Sequence, residues 1–268
     1  MSKYEVRGKN VLITGAASGI GREFSSLFAA DSANLVLDDL PAKKEVLAQW
    51  AKELADKYKV NTWSFHIDLS TENGPEQLYA SAKAAAGSID VLMNDAGTLE
   101  YGNFADIDYA RQVFMVKTNA LALFKLTWLA LQDMKKAGSG RIINLSSCSA
   151  FQPTLYHAAY GASKAFVQSL SEAVNAELSG TGIKVLAFCP PYTKTPLLKA
   201  ANLPEKLRWF AISGLWDPAV IAQQGYKAFK QGKTTFIPGP INWLMHSVIV
   251  RLTPHNLLNM ISKIMMKE

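Results

Sequence analysis

Tyr160 and Lys164 lie four residues apart in the stretch Tyr160-Gly161-Ala162-Ser163-Lys164, and on a helix they share one face. An ammonium held there favours the phenolate of its neighbour, because an opposite charge within a few ångströms stabilises the charged form. An unperturbed phenol titrates near ~10 and transfers few protons at neutral pH, whereas a lowered one works as acid and base. The same spacing also occurs in ordinary helices. What decides between the two readings is the rest of the chain.

Upstream, an apolar run at 10–14 enters Thr14-Gly15-Ala16-Ala17-Ser18-Gly19-Ile20-Gly21, and 22–30 reads as a helix. A strand, a glycine turn and a helix N-terminus together offer free N–H groups and a positive dipole end to a pyrophosphate. The spacing G-x-x-x-G-x-G departs from the G-x-G-x-x-G dinucleotide fingerprint, so a plain tight turn remains the alternative. A second strand at 33–37 ends in Asp38-Asp39. A carboxylate there accepts hydrogen bonds from ribose hydroxyls and repels a 2′-phosphate, which selects NAD over NADP. Leu40-Pro41 follows, with no adjacent cation for such a phosphate.

The elements that position these groups alternate along the chain. Helices are expected at 41–57, 76–86, 107–136 and from Tyr160 to about Leu178; strands at 62–67, 89–93, 141–145, 183–188 and 234–237. Such alternation predicts an α/β fold, a doubly wound parallel sheet of about seven strands with helices on both faces. One domain over 1–268 is expected, with no repeat or linker composition. Asn94-Asp95-Ala96-Gly97 ends the fourth strand, where small residues let backbone approach a ligand at the sheet's carboxyl edge. Asn119 in mid-helix is a poor helix former whose amide competes with the backbone.

Composition narrows the function classes. The net charge of +6 is spread without a Lys/Arg run, which argues against nucleic acid as a partner. Two cysteines, Cys148 and Cys189, argue against a disulfide framework and fit a reducing compartment, hence an expected cytoplasmic location. Four scattered histidines give no metal-ligand spacing. No signal-peptide pattern is read at the N-terminus, and no uninterrupted apolar run has membrane-spanning length.

In fixed order, the glycine loop, the aspartate pair, Asp68-Leu69, Asn94-Asp95-Ala96-Gly97, Asn119, Ser147, Tyr160-x-x-x-Lys164, Pro190 and Thr195 resemble the short-chain dehydrogenase/reductase family over about residues 8 to 196. The family's T-G-x-x-x-G-I-G loop is met in full by Thr14 to Gly21, which accounts for the unusual glycine spacing. The resemblance implies an NAD-dependent oxidoreductase acting on a secondary alcohol or ketone. It implies Asn119, Ser147, Tyr160 and Lys164 as the catalytic set, with Ser147 preferred to Ser146 because it precedes Tyr160 by thirteen residues. It implies cofactor contacts from Gly15, Ser18, Gly19, Ile20, Gly21, Asp39 (by register, rather than Asp38), Asp68, Leu69, Asn94, Ala96, Gly97, Tyr160, Lys164, Pro190, Thr193 and Thr195. Two positions depart from the pattern. Asp95 stands where a second asparagine is usual, and Pro191 where a glycine is usual; the latter removes a backbone donor and fixes φ.

Beyond Thr195 there is no motif. In this family the region 195–216 forms a lid over the substrate, and Leu197, Leu198, Leu203, Leu207, Trp209 and Phe210 there suggest a hydrophobic substrate, unless they pack on the sheet. The tail 240–268 places Ile241, Leu244, Met245, Val248 and Leu252, then Leu257, Leu258, Ile261, Ile264 and Met265, at helical spacing. Core or subunit packing in a homodimer or homotetramer is the expected use, with a peripheral membrane contact beside Arg251, Lys263 and Lys267 as the alternative. Two other functions stay open: reduction of a 3-oxoacyl thioester, and dinucleotide sensing without turnover.

Overall fold

Val11, Leu12 and Ile13 are apolar and consecutive, so the strand that carries them must be covered on both faces. The computed structural model, which describes residues 4–266, shows this directly. In β1 (Asn10–Thr14), Val11 and Ile13 enter one core and Leu12 the other. The remaining strands are β2 (Asn34–Asp38), β3 (Thr62–Phe65), β4 (Val91–Asn94), β5 (Gly140–Leu145), β6 (Ile183–Phe188) and β7 (Thr235–Phe236). All pair in parallel in the order β3-β2-β1-β4-β5-β6-β7. The order reverses between β1 and β4, and a crevice opens there beyond the strand carboxyl ends.

On one face lie α1 (Gly19–Ala30) and α2 (Lys44–Tyr58), with Phe24, Phe28, Leu47 and Leu54 fully buried. The other face carries α3 (Gly74–Ala86), the long helix α4 (Tyr109–Ala137) and α5 (Ala158–Glu177). By length and composition α4 could cross a membrane, but half of its apolar window is buried, packed on α3, β4 and β5. It is a core helix. Within it, Lys117–Ala122 forms a π turn, and Asn119 sits there with no exposure. A π turn is a single widened helical turn, frequent at functional sites.

α1 begins three residues earlier than the apolar pattern suggests, because the last two glycines of the loop form its first turn. The region after Thr195 folds into α6 (Pro196–Ala200) and α7 (Arg208–Ser213), followed by α8 (Pro218–Lys230). Leu203 and Leu207 are buried, and Leu198, Trp209 and Phe210 pack against them with Tyr192 and Met266. The tail forms a helix over 240–252, α9, which includes a second π turn at Met245–Ile249, and α10 (His255–Met265). Core packing is not the use of most of its apolar residues. Ile241, Leu244, Leu252, Leu257, Ile261 and Ile264 stay exposed, because each helix turns a different set inward: Asn242, His246 and Val250 in α9, and Leu258 in α10. Lys267 lies outside the described residues.

Candidate active site

The crevice at the β1–β4 switch is lined by Gly15, Ser18, Gly19, Ile20, Asp39, Leu69, Ala96, Gly97 and Thr195 among the residues named from sequence. A second, adjoining cavity is lined by Ser147, Tyr160, Pro190, Thr193 and Thr195. Ile20, Leu145, Thr195 and Leu197 border both, so the two spaces meet. Gly21, Asp68, Asn94 and Lys164 stand behind these walls. Asn94 donates to Asn144 Oδ1 at 2.9 Å in a buried amide network, and Asp68 accepts from Ser70 N at 2.8 Å in a turn.

The glycines explain how closely the walls approach. A Cβ on Gly15, whose φ is +71°, would lie 2.9 Å from Ala96 N; on Gly21 it would meet Asp95 Oδ2 at 2.6 Å. Only glycine lets the loop lie against the end of β4 with the N-terminus of α1 facing the crevice. This cradle, with a positive dipole end and little side-chain bulk, fits the phosphates of a dinucleotide.

The two aspartates divide cleanly. Asp38 ends β2 with 1% exposure and accepts from Ile67 N at 3.0 Å, a buried link between loops. Burial raises its carboxyl well above the usual range. Asp39 is half-buried at the crevice wall, with Oδ2 accepting from Ala17 N at 2.9 Å and Oδ1 from Leu40 N at 2.8 Å. Two backbone donors thus fix this carboxylate against the glycine loop.

Around Tyr160 the side chains come from three elements. Ser147 follows β5, Tyr160 and Lys164 lie on α5, and Asn119 comes from the π turn of α4. Lys164 Nζ lies 5.7 Å from the centre of the Tyr160 ring and donates to the Leu145 carbonyl at 2.7 Å. Asn119 is clamped to Thr98, with Oδ1 accepting from Thr98 N at 2.8 Å and Nδ2 donating to Thr98 O at 2.9 Å. A Cβ on Gly97 would touch Asn119 Oδ1 at 3.1 Å and Lys164 Nζ at 3.7 Å, so both groups reach the end of β4.

Burial works against the phenolate of Tyr160 that a nearby Lys164 ammonium would favour. Burial pushes the phenol up to about 12, hydrogen bonding with Ser147 draws it down, and the nearby Asp95 charge raises it again. Lys164 is itself lowered to about 8 by burial, with Asp95 opposing that shift. The spacing placed the two groups on one face correctly, but burial outweighs the charge interaction.

Asp95 accordingly belongs to this group. Its Oδ2 accepts from Gly21 N at 2.8 Å, while Oδ1 is buried without a partner although the residue as a whole is half-buried. Burial raises its carboxyl to about 7, offset in part by Lys164 and the Gly21 N–H, with Asp39 adding to the rise. The native chain therefore binds this proton more tightly than the unfolded chain, whose carboxyl titrates near ~3.9. Stability attributable to the neutral carboxyl is present at low pH and is lost between about 4 and about 7. An asparagine keeps the acceptor for Gly21 but cannot ionise. Asp95→Asn should therefore gain in melting temperature over the unaltered chain as pH rises through that window. Thermal denaturation at both ends of the window measures this, and a constant difference would contradict it.

The second cavity is mostly apolar, with Leu99, Leu155, Leu198, Leu203, Trp209 and Met265 on its walls. Its histidines were not singled out from sequence. His157 and His246 are 4% and 1% exposed, and burial lowers each to about 4, so both are neutral there. His157 packs 6.1 Å from the Tyr160 ring, centre to centre. Its position just ahead of Tyr160 at the start of α5 was the available signal; His246 arrives from α9 with none. The loop carrying Pro191 closes through Thr193 Oγ1, which donates to the Pro191 carbonyl at 2.8 Å, and through pairing of Thr193 with Trp216.

Comparison with known proteins agrees with this geometry. Residues 9–206 match the family described as short chain dehydrogenase. The chain is 31% identical over 231 residues to the ketoacyl reductase HetN of a Nostoc species, covering 86% of this chain and 78% of that protein. A short-chain dehydrogenase from Sphingobium yanoikuyae in complex with NADPH superposes with a TM-score of 0.80 at 27% identity, covering 95% of this chain and 94% of that one. The bulky-bulky ketone specific alcohol dehydrogenase from Comamonas testosteroni gives 0.75 at 27% identity, covering 95% and 91%.

Proposed function

Given that the chain belongs to the short-chain dehydrogenase/reductase family of oxidoreductases, we propose that it interconverts a bulky, apolar ketone and its secondary alcohol with NAD as cofactor. The observation that carries this reading is the placement of Tyr160 and Ser147 in an apolar cavity that opens onto the glycine-lined crevice. The Comamonas enzyme, described as specific for bulky ketones, lends support through its similarity.

When bound, the dinucleotide supplies the hydride donor or acceptor. The chain supplies position and a proton. Gly15, Ser18, Gly19 and Ile20 would receive the phosphates, and Asp39 the adenosine ribose. As a neutral phenol, Tyr160 carries the proton that carbonyl reduction consumes, and recovers it from the alcohol in the reverse direction. Ser147 Oγ donates to the substrate oxygen and stabilises charge developing there. Lys164 would steady Tyr160 and hold the nicotinamide ribose, while Asn119, clamped to the Thr98 backbone, would support a water path to Lys164. Pro190, Thr193 and Thr195 would border the nicotinamide end. Residues 195–216 act as the lid, whose Leu198, Leu203 and Trp209 already line the cavity.

Reduction of a 3-oxoacyl thioester is the second reading, favoured by the similarity to the Nostoc ketoacyl reductase. A dinucleotide sensor has no need of Asn119, Ser147, Tyr160 and Lys164 together. A panel of steroid ketones, aliphatic ketones and acyl thioesters, followed by NADH absorbance, separates the three. Fastest turnover is expected with the bulky ketones; preference for the thioesters transfers the assignment to the second reading, and binding without any turnover to the sensor. The buried, unpaired cysteines fit a reducing cytoplasm. Self-association into a dimer or tetramer is supported by the exposed aromatic pair Phe124 and Phe166 with Trp128 on α4 and α5.

A further inference from the structure

A surface helix normally turns its apolar stripe inward and its polar residues to water. α10 breaks that rule. Leu258 faces inward and is buried, yet Leu257, Met260, Ile261 and Ile264, at spacing i, i+3, i+4 and i+7, form a second apolar stripe that is 37–55% exposed. α9 repeats the pattern. Asn242, His246 and Val250 are buried, whereas Ile241, Trp243, Leu244, Ile249 and Leu252 are exposed, Leu252 by 79%. Two consecutive helices thus present apolar side chains outward, far more than the scattered apolar residues of an ordinary surface.

Charge indicates what covers this face. From 218 to 268 the sequence contains one acidic residue, Glu268, against Lys227, Lys230, Lys233, Arg251, Lys263 and Lys267, of which Lys230 is paired with Asp31 at 2.6 Å. Arg251 and Lys263 are exposed on α9 and α10 themselves. A second copy seated symmetrically here would bring Arg251 and Lys263 toward their own images, with no carboxylate on α9 or α10 to pair them. An anionic bilayer satisfies both features: the stripes enter the headgroup–acyl boundary, the cations meet phosphate, and Trp243 suits the interface. We propose that α9 and α10 dock on an anionic phospholipid surface.

The inward faces of the same helices reach the cavity, where His246, Ser262, Met265 and Met266 form part of the wall. Docking therefore sets one wall of the cavity at the lipid surface, where apolar molecules concentrate. The inference does not depend on which ketone is turned over.

Co-sedimentation of the full chain with phosphatidylcholine vesicles, with and without phosphatidylglycerol, tests it. The chain should pellet with the anionic vesicles at low salt and be released as salt rises. Leu252→Glu/Met260→Glu should abolish pelleting. Arg251→Gln/Lys263→Gln should weaken partition on the order of 25-fold, about fivefold for each cation removed. All four side chains are exposed, and an unchanged melting temperature verifies that each variant is folded. Absence of binding by the unaltered chain at low salt, or equal binding by the glutamate variant, overturns the proposal. So does sedimentation equilibrium in which the glutamate variant splits a larger oligomer, which would assign the face to a second copy.

Discussion

Tyr160→Phe should lower ketone turnover by about 10²- to 10⁴-fold, the usual contribution of a positioned acid–base group, and leave dinucleotide binding intact. The ring is retained, so packing against His157 and the distance to Lys164 should persist. What disappears is a cavity hydroxyl with both a serine hydrogen bond and a lysine beneath its ring. The pH dependence adds a second check. With Tyr160 pushed up to about 12, its proton is in place for reduction throughout the neutral range. Oxidation of the alcohol needs the phenolate and should quicken steadily as pH rises toward that value. An alkaline loss of reductive activity near about 8 would report deprotonation of Lys164, whereas a loss below that would mean that another group supplies the proton. Fluorescence titration with NADH separates lost chemistry from lost binding.

The next largest effect is expected at Asp39. A 2′-phosphate placed against a carboxylate that two backbone N–H groups hold still has no route to relieve the repulsion. An unfavourable interaction of about 2–3 kcal/mol, reasonable for like charges a few ångströms apart near a surface, corresponds to a preference for NADH over NADPH on the order of 10². The one cation on α1, Arg22, stacks over the Trp50 ring at 3.8 Å. Asp39→Ser should lose most of the preference through better use of NADPH. kcat/KM measured with both cofactors decides the matter, and a preference for NADPH in the unaltered chain would overturn the assignment. The Sphingobium relative, solved with NADPH, makes this comparison informative.

Local patterns carried the strands, the glycine turn and the shared face of Tyr160 and Lys164, since each rests on neighbours in sequence. What depends on burial was not legible. The ionisation of Tyr160 follows from the depth of the cavity and from Asp95, a residue sixty-five positions away. The π turn around Asn119 reflects a clamp on Thr98 that no periodicity reveals. In α10 the sequence offers two apolar stripes, one through Leu258 and Met265, the other through Leu257 and Ile261. Periodicity cannot say which turns inward; packing against α7 and the cavity chooses the first. The motif residues themselves scattered into two roles. Ser147 and Tyr160 face a cavity, whereas Asn94 and Asp68 brace the backbone behind one.

The central claim is that Tyr160 passes a proton to a ketone in the apolar cavity while hydride moves to or from a dinucleotide in the crevice beside it. The most direct measurement is single-turnover NADH oxidation with a bulky ketone, comparing the unaltered chain and Tyr160→Phe at saturating cofactor. The account predicts one NADH consumed per ketone reduced by the unaltered chain, and a rate for the variant lower by at least about 10². Equal rates in the two, or tight NADH binding with no oxidation by any carbonyl compound of the panel, would contradict it.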